Sequence, residues 1–545
     1  MDNRYKDMFL PACVHEVYSR RHFLLASSLA TAMGQLPAWA RMGERPGYNP
    51  FTLGVASGDP EPDNVLLWTR LAPAAPGLPT TLPAQSVRWE LAHDSRFLHM
   101  ERSGQAMALP EQGHSLHVQV DGLAPDRWYY YRFMLGDAVS TTGRCRTAPA
   151  RDSLPKRLRL AYASCQRWEH GYYAAWAHML KDPPDLVLFL GDYIYESASP
   201  GLSLGMARSH NLRTAQSLQD YRDRYALYKS DAHLQAAHAA CNWAVIWDDH
   251  EVENDYAGQQ GMGNAQRFAA RRAAATQAFY ENMPLRADTL AAGLSGPRLY
   301  RSLRWGRLAH LHLLDGRQYR DLQACRTTGA PNAGSVRPGD CQALHAASRS
   351  FLGWDQERWL YRQLAQDAGT DSRSSEQNMR WSVMAQTTLL SARRYPSGVQ
   401  ASDSWDGYPA ARQRLMQQLS GAAGKAPRNS VVLGGDIHQN YVCALPARAD
   451  LPPAPDNPVV ASEFCTTSIS SRSGTTQAKV DAVRAHNPQV LFARCEERGY
   501  GWADITPERW DCELRTVLNP LLANSPVLTQ ARFSVLDRRP GPVEG

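Results

Sequence analysis

Four times along this chain a short apolar, β-rich run gives way at once to Asp, His or Cys. RLRLAYASCQ ends at Cys165, and DLVLFLGDYIYE breaks at Gly191 and Asp192. CNWAVIWDDHE ends in Asp248, Asp249 and His250, and NSVVLGGDIHQN in Asp436 and His438. A continuous apolar run bounded by Gly suits a strand buried on both faces, in a sheet covered by helices. At Gly191 the backbone can turn sharply, leaving Asp192 at the carboxyl end of its strand, where open α/β sheets place their ligands. Tyr195 follows three residues later, with Tyr193 and Glu196 beside it. Taken alone, that stretch reads equally as a turn Asp with a packing Tyr, or as a carboxylate and a phenol offered to a hard cation. The recurrence at four strand ends decides for a metal site, because core packing does not call for ligand chemistry at each of them.

A chain of 545 residues is long for one core, which predicts two domains. Residues 48–150 read as all-β. The runs NVLLWTRL, SVRWELAHD, HSLHVQVDGL, RWYYYRFML and GRCRT are separated by Gly, Pro and Asp turns. DGLAPDRWYYYRF has the form of the corner of a fibronectin- or immunoglobulin-like sandwich. This module carries no cluster of His, Cys or carboxylates, so it is read as a scaffold or a partial cover. Ala148–Asp152 is a short linker, and residues 155–545 alternate strands with helices as one α/β catalytic domain. SLQDYRDRYALYKSDAHLQAAH reads as a single helical segment whose apolar positions face a core. Late strand-like runs, GYGWADITPERWDCELRTV and ARFSVLDRR, complete the sheet edges.

The net charge of +6 is small for this length, and no basic stripe with interleaved aromatics is present, which argues against nucleic-acid binding. At the N-terminus, Ser19-Arg20-Arg21-His22-Phe23-Leu24 precedes an apolar stretch to about Leu36 and then Ala38-Trp39-Ala40. A charged start, an apolar stretch too short to span a bilayer and an A-x-A site form a leader, residues 1–40. Paired arginines before Phe-Leu resemble a twin-arginine signal, which implies the bacterial twin-arginine export machinery as a partner and a periplasmic or secreted destination. No other segment is long and apolar enough to span a membrane. Of the ten cysteines, Cys13 lies in the leader; with Cys165 as a ligand, eight remain. An even number in an oxidising compartment points to disulfides, with Cys325–Cys341 the first pairing expected and Cys495–Cys512 the second, and buried thiols the alternative for some of the eight.

The motifs S-C-Q, G-D-Y-I-Y-E, W-D-D-H-E-V-E-N, L-D-G-R-Q-Y-R-D, S-W-D-G-Y-P-A-A-R and G-G-D-I-H, in this order, resemble the PhoD-like alkaline phosphatase/phosphodiesterase family. That family belongs to the calcineurin-like metallophosphoesterases and is related to purple acid phosphatases. The resemblance implies two packed β-sheets flanked by helices, preceded by the small sandwich, with a ferric iron and one or two calcium ions at the strand ends. Carried over by motif, Cys165, Tyr195 and His438 bind the iron, Asp192 bridges, and Asp249 and Asp436 serve the calcium side. Donor chemistry supports the split: thiolate, phenolate and imidazole suit iron, and carboxylates suit calcium. Zinc stays open on residue types alone. Two positions depart from the family pattern: Gly316 stands where relatives carry Thr, and Gln386 is followed by Thr387 rather than a second Gln. The C-terminal RRPGPVEG also lacks an obvious amphipathic helix to cover the site.

His250 leaves its strand end together with Asp249, and is read as a phosphate contact or the proton donor to the leaving group. Arg317 and Arg320 follow another strand end and read equally as a fork on a phosphate oxygen or as a plain surface ion pair, with Arg317 taken as catalytic on the first reading. Asp248 is read as an acceptor beside the ligands, and Asn254 as a candidate for the calcium side. The expected activity is hydrolysis of phosphate esters, monoesters and diesters, by metal-activated hydroxide. Two alternatives stay open: a phospholipase-D-like enzyme acting mainly on lipid or polymer phosphodiesters, and a non-catalytic cell-surface protein with a structural metal.

Overall fold

Leu186–Leu190 is a strand with all of its side chains buried. Leu186, Leu188 and Leu190 enter the core between two sheets, whereas Val187 and Phe189 pack against helices. The strand therefore needs apolar residues at every position, which is why the run is continuous rather than alternating. It lies parallel between Leu158–Ala163 and Asn242–Ile246. The computed structural model describes residues 48–73, 82–199, 205–261, 264–326, 334–369 and 378–545; the leader, with Arg20 and Arg21, lies outside the described residues.

These three strands are the middle of a ten-stranded sheet. On one side Arg498–Ile505, Arg509–Val517, Val527–Leu536 and Arg539–Glu544 extend it antiparallel. In the second, seven-stranded sheet, Ala309–Leu313, Trp381–Ala385, Ser430–Gly434 and Val459–Cys465 run parallel. The sheets meet through Leu160, Leu188, Ile246, Leu311, Val383 and Leu433. Helical residues such as Trp176 and Tyr225 cover the outer face of the first sheet, and Leu360 and Leu415 that of the second. This is the expected α/β architecture of two packed sheets flanked by helices. No helix among the described residues is long and apolar enough to cross a membrane.

The β-sandwich is present, but one of its sheets is shared. Gln85–Ala92, Met100–Ala108 and Trp128–Leu135, with two shorter strands, form a separate five-stranded sheet. Its Tyr129 and Tyr131 close over Val65, Leu67 and Val118. The facing strands, Val55–Gly58, Asn64–Arg70 and Ser115–Asp121, are the far end of the ten-stranded sheet, joined where Ser57 and Gly58 pair with Asn242 and Trp243. Backbone hydrogen bonding thus runs unbroken from the sandwich to the strand that carries Asp249.

Three expectations need correction or completion. The single helical segment is two helices, Leu218–Lys229 and Ala232–Ala240. Asp231 breaks it: its carboxylate accepts the amides of His233 and Leu234 at 3.0 and 3.1 Å and so starts a new helix. Cys325 and Cys341 form a disulfide, but Cys495 and Cys512 do not pair, and both are buried thiols. Cys512 points into the core between the sheets and Cys495 into the core under the second sheet's helices, so the two cannot meet. After the helix Gln477–Ala485, the regular elements are all strands, in the place where a helical cover was in question.

Candidate metal centre

The parallel strands of both sheets deliver their carboxyl ends to one place. There Cys165, Asp192, Asp436 and His438 all take left-handed backbone angles, with φ of 58, 59, 61 and 54°. For residues other than Gly this conformation costs about 1–2 kcal/mol each, and such strain persists only where the surroundings fix it. Gly191, at φ 92°, is required by close approach: a Cβ there would lie 2.5 Å from Asp248 Cβ. The Asp192 and Asp248 loops therefore touch backbone to backbone.

Donor atoms of Cys165, Asp192 and His438 lie within 4.8 Å of one another; so do those of Asp192, Asp249 and His250, and those of Asp248, Asp249 and Asp436. Asp192 belongs to two of these groups and Asp249 to two, so the three form one chain of ligand atoms. Tyr195 Oη donates to Asp192 Oδ2 at 3.0 Å and lies 3.1 Å from His438 Nε2. The structure thus brings together all six residues read as ligands, and sets His250 beside them with its ring 4.2 Å from that of Tyr195. One pole carries thiol, phenol and imidazole, and the other carries carboxylates, with Asp192 between.

Supporting groups hold these atoms. The fully buried Glu251 accepts the amides of Asp192 at 3.1 Å and Asp248 at 2.8 Å, and that of Tyr193, tying the two loops together. Ser471 Oγ lies 2.7 Å from Tyr195 Oη, and Thr388 Oγ1 donates to Asp436 Oδ2 at 2.8 Å. His438 Nδ1 meets the Arg472 carbonyl at 2.8 Å, which turns Nε2 toward the ligands. His250 Nδ1 lies 2.7 Å from Glu196 Oε2, and the other Glu196 oxygen accepts the Asn254 amide at 3.2 Å. That amide is the contact Asn254 makes here.

Electrostatically the site concentrates buried acidic groups. Burial pushes Asp192 well above the carboxylate range, Asp248 up to about 7 against the pull of Arg317, and Asp436 up to about 6. Burial likewise raises the Cys165 thiol and the Tyr195 phenol. It holds the His438 imidazole down to about 3, with Arg498 adding to the effect. Burial disfavours His250 as a cation too, but Glu196, Asp249 and Asp192 outweigh it and hold the imidazolium. Asp249 Oδ1 is buried and accepts no hydrogen bond. Its nearest cation is the Arg317 guanidinium at 3.5 Å; a buried carboxylate oxygen with no hydrogen bond beside three other acids has room for a further cation, and the donor set fits one.

The profile of the PhoD-like phosphatase family matches residues 160–514, and that of the PhoD-like phosphatase N-terminal domain matches residues 37–149. This chain belongs to the PhoD-like phosphatase family. It is 38% identical over 540 residues to alkaline phosphatase D of Bacillus subtilis (strain 168), covering 95% of this chain and 88% of that protein. A solved structure of PhoD superposes with a TM-score of 0.81 at 39% identity, over 91% of this chain and 92% of the other. It is therefore a phosphoesterase-type hydrolase by family.

Set among PhoD-like phosphatases, Arg317 needs correction. Expected to fork a phosphate, its buried guanidinium instead meets Asp248 through Nε and Nη2, and Asp403 at 2.8 Å through Nη1. Asp249 lies 3.5 Å away. Arg320 joins it on Asp403 and donates to the Tyr256 carbonyl at 3.1 Å. Both cations balance the carboxylate pole, and Asp248 accepts from Arg317 while its carboxylate also lies among the candidate ligand atoms. The two departures from the PhoD-like pattern turn out to be neighbours: a Cβ on Gly316 would lie 3.5 Å from Thr387 Oγ1 and 3.2 Å from Phe351. Sequence reasoning missed Glu196, Glu251, Asp403 and Ser471 as parts of the site. The first two lie inside the quoted motifs G-D-Y-I-Y-E and W-D-D-H-E, where position next to a ligand was the available signal. A fourth ligand-type group, His310, His312 and Asp367, also went unread. There Asp367 takes His310 Nδ1 at 2.6 Å, His312 Nε2 at 2.9 Å and Ser382 Oγ at 2.6 Å, a buried hydrogen-bonded cluster under the second sheet's helix.

Proposed function

We propose that this chain is an exported phosphatase that hydrolyses phosphate esters, both monoesters and diesters, at an iron–calcium centre. The observation that carries the reading is the division of donors about Asp192: Cys165, Tyr195 and His438 on one side, Asp249 and Asp436 on the other. The first set would hold ferric iron and the second calcium, with Asp192 shared. When bound, these cations supply Lewis acidity to phosphoryl oxygens and lower the pKa of an attacking water. Within that frame the chain's own groups have separate tasks. Glu196 orients His250 through Nδ1, leaving Nε2 as the nitrogen that protonates the departing ester oxygen. Glu251 keeps the Asp192 and Asp249 loops in register. Arg317 positions the carboxylate pole rather than gripping substrate. Export is supported by the Arg20-Arg21 leader pattern.

Tyr195→Phe tests the assignment, because it keeps the ring's packing and removes only the oxygen. The wild-type protein is expected to contain iron and calcium and to absorb in the visible through phenolate-to-ferric charge transfer. The variant is expected to lose or shift that band and to turn over more slowly. Colourless wild-type protein with stoichiometric zinc, or a fully active Tyr195→Phe enzyme, would sink the iron–calcium reading while leaving a metallophosphatase standing.

A further inference from the structure

The turn between Arg509–Val517 and Val527–Leu536 carries three exposed leucines, and the start of the second strand carries a fourth. Leu518 is 62% exposed, Leu521 39%, Leu522 52% and Leu528 53%. From Thr516 to Ala531 the sequence holds neither a charged residue nor an aromatic one. Pairing places this turn at the catalytic end of the ten-stranded sheet. Val517 pairs with Arg498, and Gly501 with Tyr162, so the turn leaves the sheet at the end where Leu158–Ala163 runs on into Cys165. The Tyr172 amide donates to the Pro520 carbonyl at 2.8 Å, and Gly171 is held between Pro520 and Ser470. Ser470 and Ser471 in turn bond the Cys165 carbonyl.

We infer that this turn docks on a lipid surface and holds the catalytic mouth against phosphate-bearing head groups. Backbone entering lipid must satisfy its own polar groups, and here it largely does. Leu518 donates to the Pro526 carbonyl at 2.9 Å, Leu522 to that of Asn519 at 3.2 Å, and Ser525 to that of Leu522 at 3.2 Å. Asn519 donates to Ser525 Oγ at 2.8 Å and Leu521 to Asn519 Oδ1 at 3.0 Å. A protein partner would call for aromatic or Arg anchors, which the turn lacks, whereas aliphatic side chains without charge suit an acyl boundary. A cation stands at its rim for anionic head groups: Lys181 is exposed one turn beyond His178, whose Nε2 lies 3.0 Å from the Ser525 carbonyl, and the neighbouring Asp182 is paired with Arg515 at 3.5 Å and Arg159 at 3.6 Å.

The test is cosedimentation of the whole protein with vesicles of phosphatidylcholine, with and without phosphatidylglycerol, and it needs no turnover, so it succeeds or fails apart from the phosphatase reading. Wild-type protein is expected to bind the mixed vesicles. Leu521→Ser with Leu522→Ser should weaken binding by about tenfold or more while hydrolysis of a soluble p-nitrophenyl ester is retained. Lys181→Glu, a second and independent variant, should weaken binding to the mixed vesicles and not to phosphatidylcholine alone. Absence of wild-type binding, or equal binding by the leucine variant and wild type, would overturn the inference. So would a vesicle-free dimer, seen by ultracentrifugation, that the leucine variant abolishes.

Discussion

Glu251→Gln removes one oxygen from the group that ties the Asp192 and Asp248 loops together. Glu251 is fully buried; one of its oxygens takes the amides of Asp192 and Asp248, and the other takes that of Tyr193. Glutamine has the same shape, and its best orientation keeps the oxygen at the doubly used position. Its amino group then faces the Tyr193 amide, donor against donor. A buried donor left without an acceptor costs about 1–3 kcal/mol. The two retained bonds also lose their charge assistance, which is roughly half their strength. Burial already pushes Glu251 up to about 7, so part of its charge is held at a penalty that the neutral side chain relieves. The net expectation is a loss of about 2–4 kcal/mol. Urea unfolding followed by tryptophan fluorescence, with metal analysis on the same samples, reads both consequences. The midpoint should fall, and so should metal per chain, because the Tyr193 amide beside Asp192 loses its acceptor and the two bonds that join the Asp192 and Asp248 loops weaken. A variant with wild-type midpoint and wild-type metal content would refute the reasoning.

Replacing Arg20 and Arg21 together with Lys should leave active precursor inside the cell, and cell fractionation that finds the double variant exported normally would remove the twin-arginine assignment. Alkylation of denatured protein before and after reduction should gain two thiols from Cys325 and Cys341, and peptide mapping should find Cys495 and Cys512 alkylated without reduction. Acid stability should depend on the His310 cluster, because burial holds His310 down to about 4 while the unfolded chain's imidazole takes its proton near 6.5. Between those values the unfolded state binds more protons, so stability falls as pH drops from 6.5 through 4, by on the order of 3 kcal/mol. Asp367 adds to the loss on further acidification: burial raises it, but the His310 and His312 bonds outweigh that and hold it below the usual range. Thermal melting across that window should show a shallower acid slope for His310→Gln than for wild type, and equal slopes would remove His310 as the source.

The residues gathered at the site were legible because each lies a few positions past its strand's end, with a Gly directly before Asp192 and Asp436. Leu186–Leu190 must be apolar throughout to be buried on both faces, and Asp192 must follow a Gly because Asp248 leaves no room for a Cβ. Those are local demands, and local demands leave local patterns. Cys325 and Cys341, flanking one short loop, were legible for the same reason. The break at Asp231 was also written locally, as a helix-capping carboxylate, but helical periodicity on both sides masked it.

What only the tertiary structure decided depends on which distant segments meet. Arg317 reads as a free guanidinium at a strand end until Asp248 and Asp403 are brought around it. Ser471 is one serine among several until packing sets it against Tyr195, 276 positions earlier in the chain. Cys495 and Cys512 are close in sequence, yet strands carry them into different cores. The sandwich reads as a separate module because its pairing with Asn242–Ile246 depends on residues nearly two hundred positions away. Sequence by itself determined the donors and the strands that bear them, since each strand end announces its own chemistry. Folding decided which charges answer which, because burial strengthens every unpaired charge and the partners come from elsewhere in the chain.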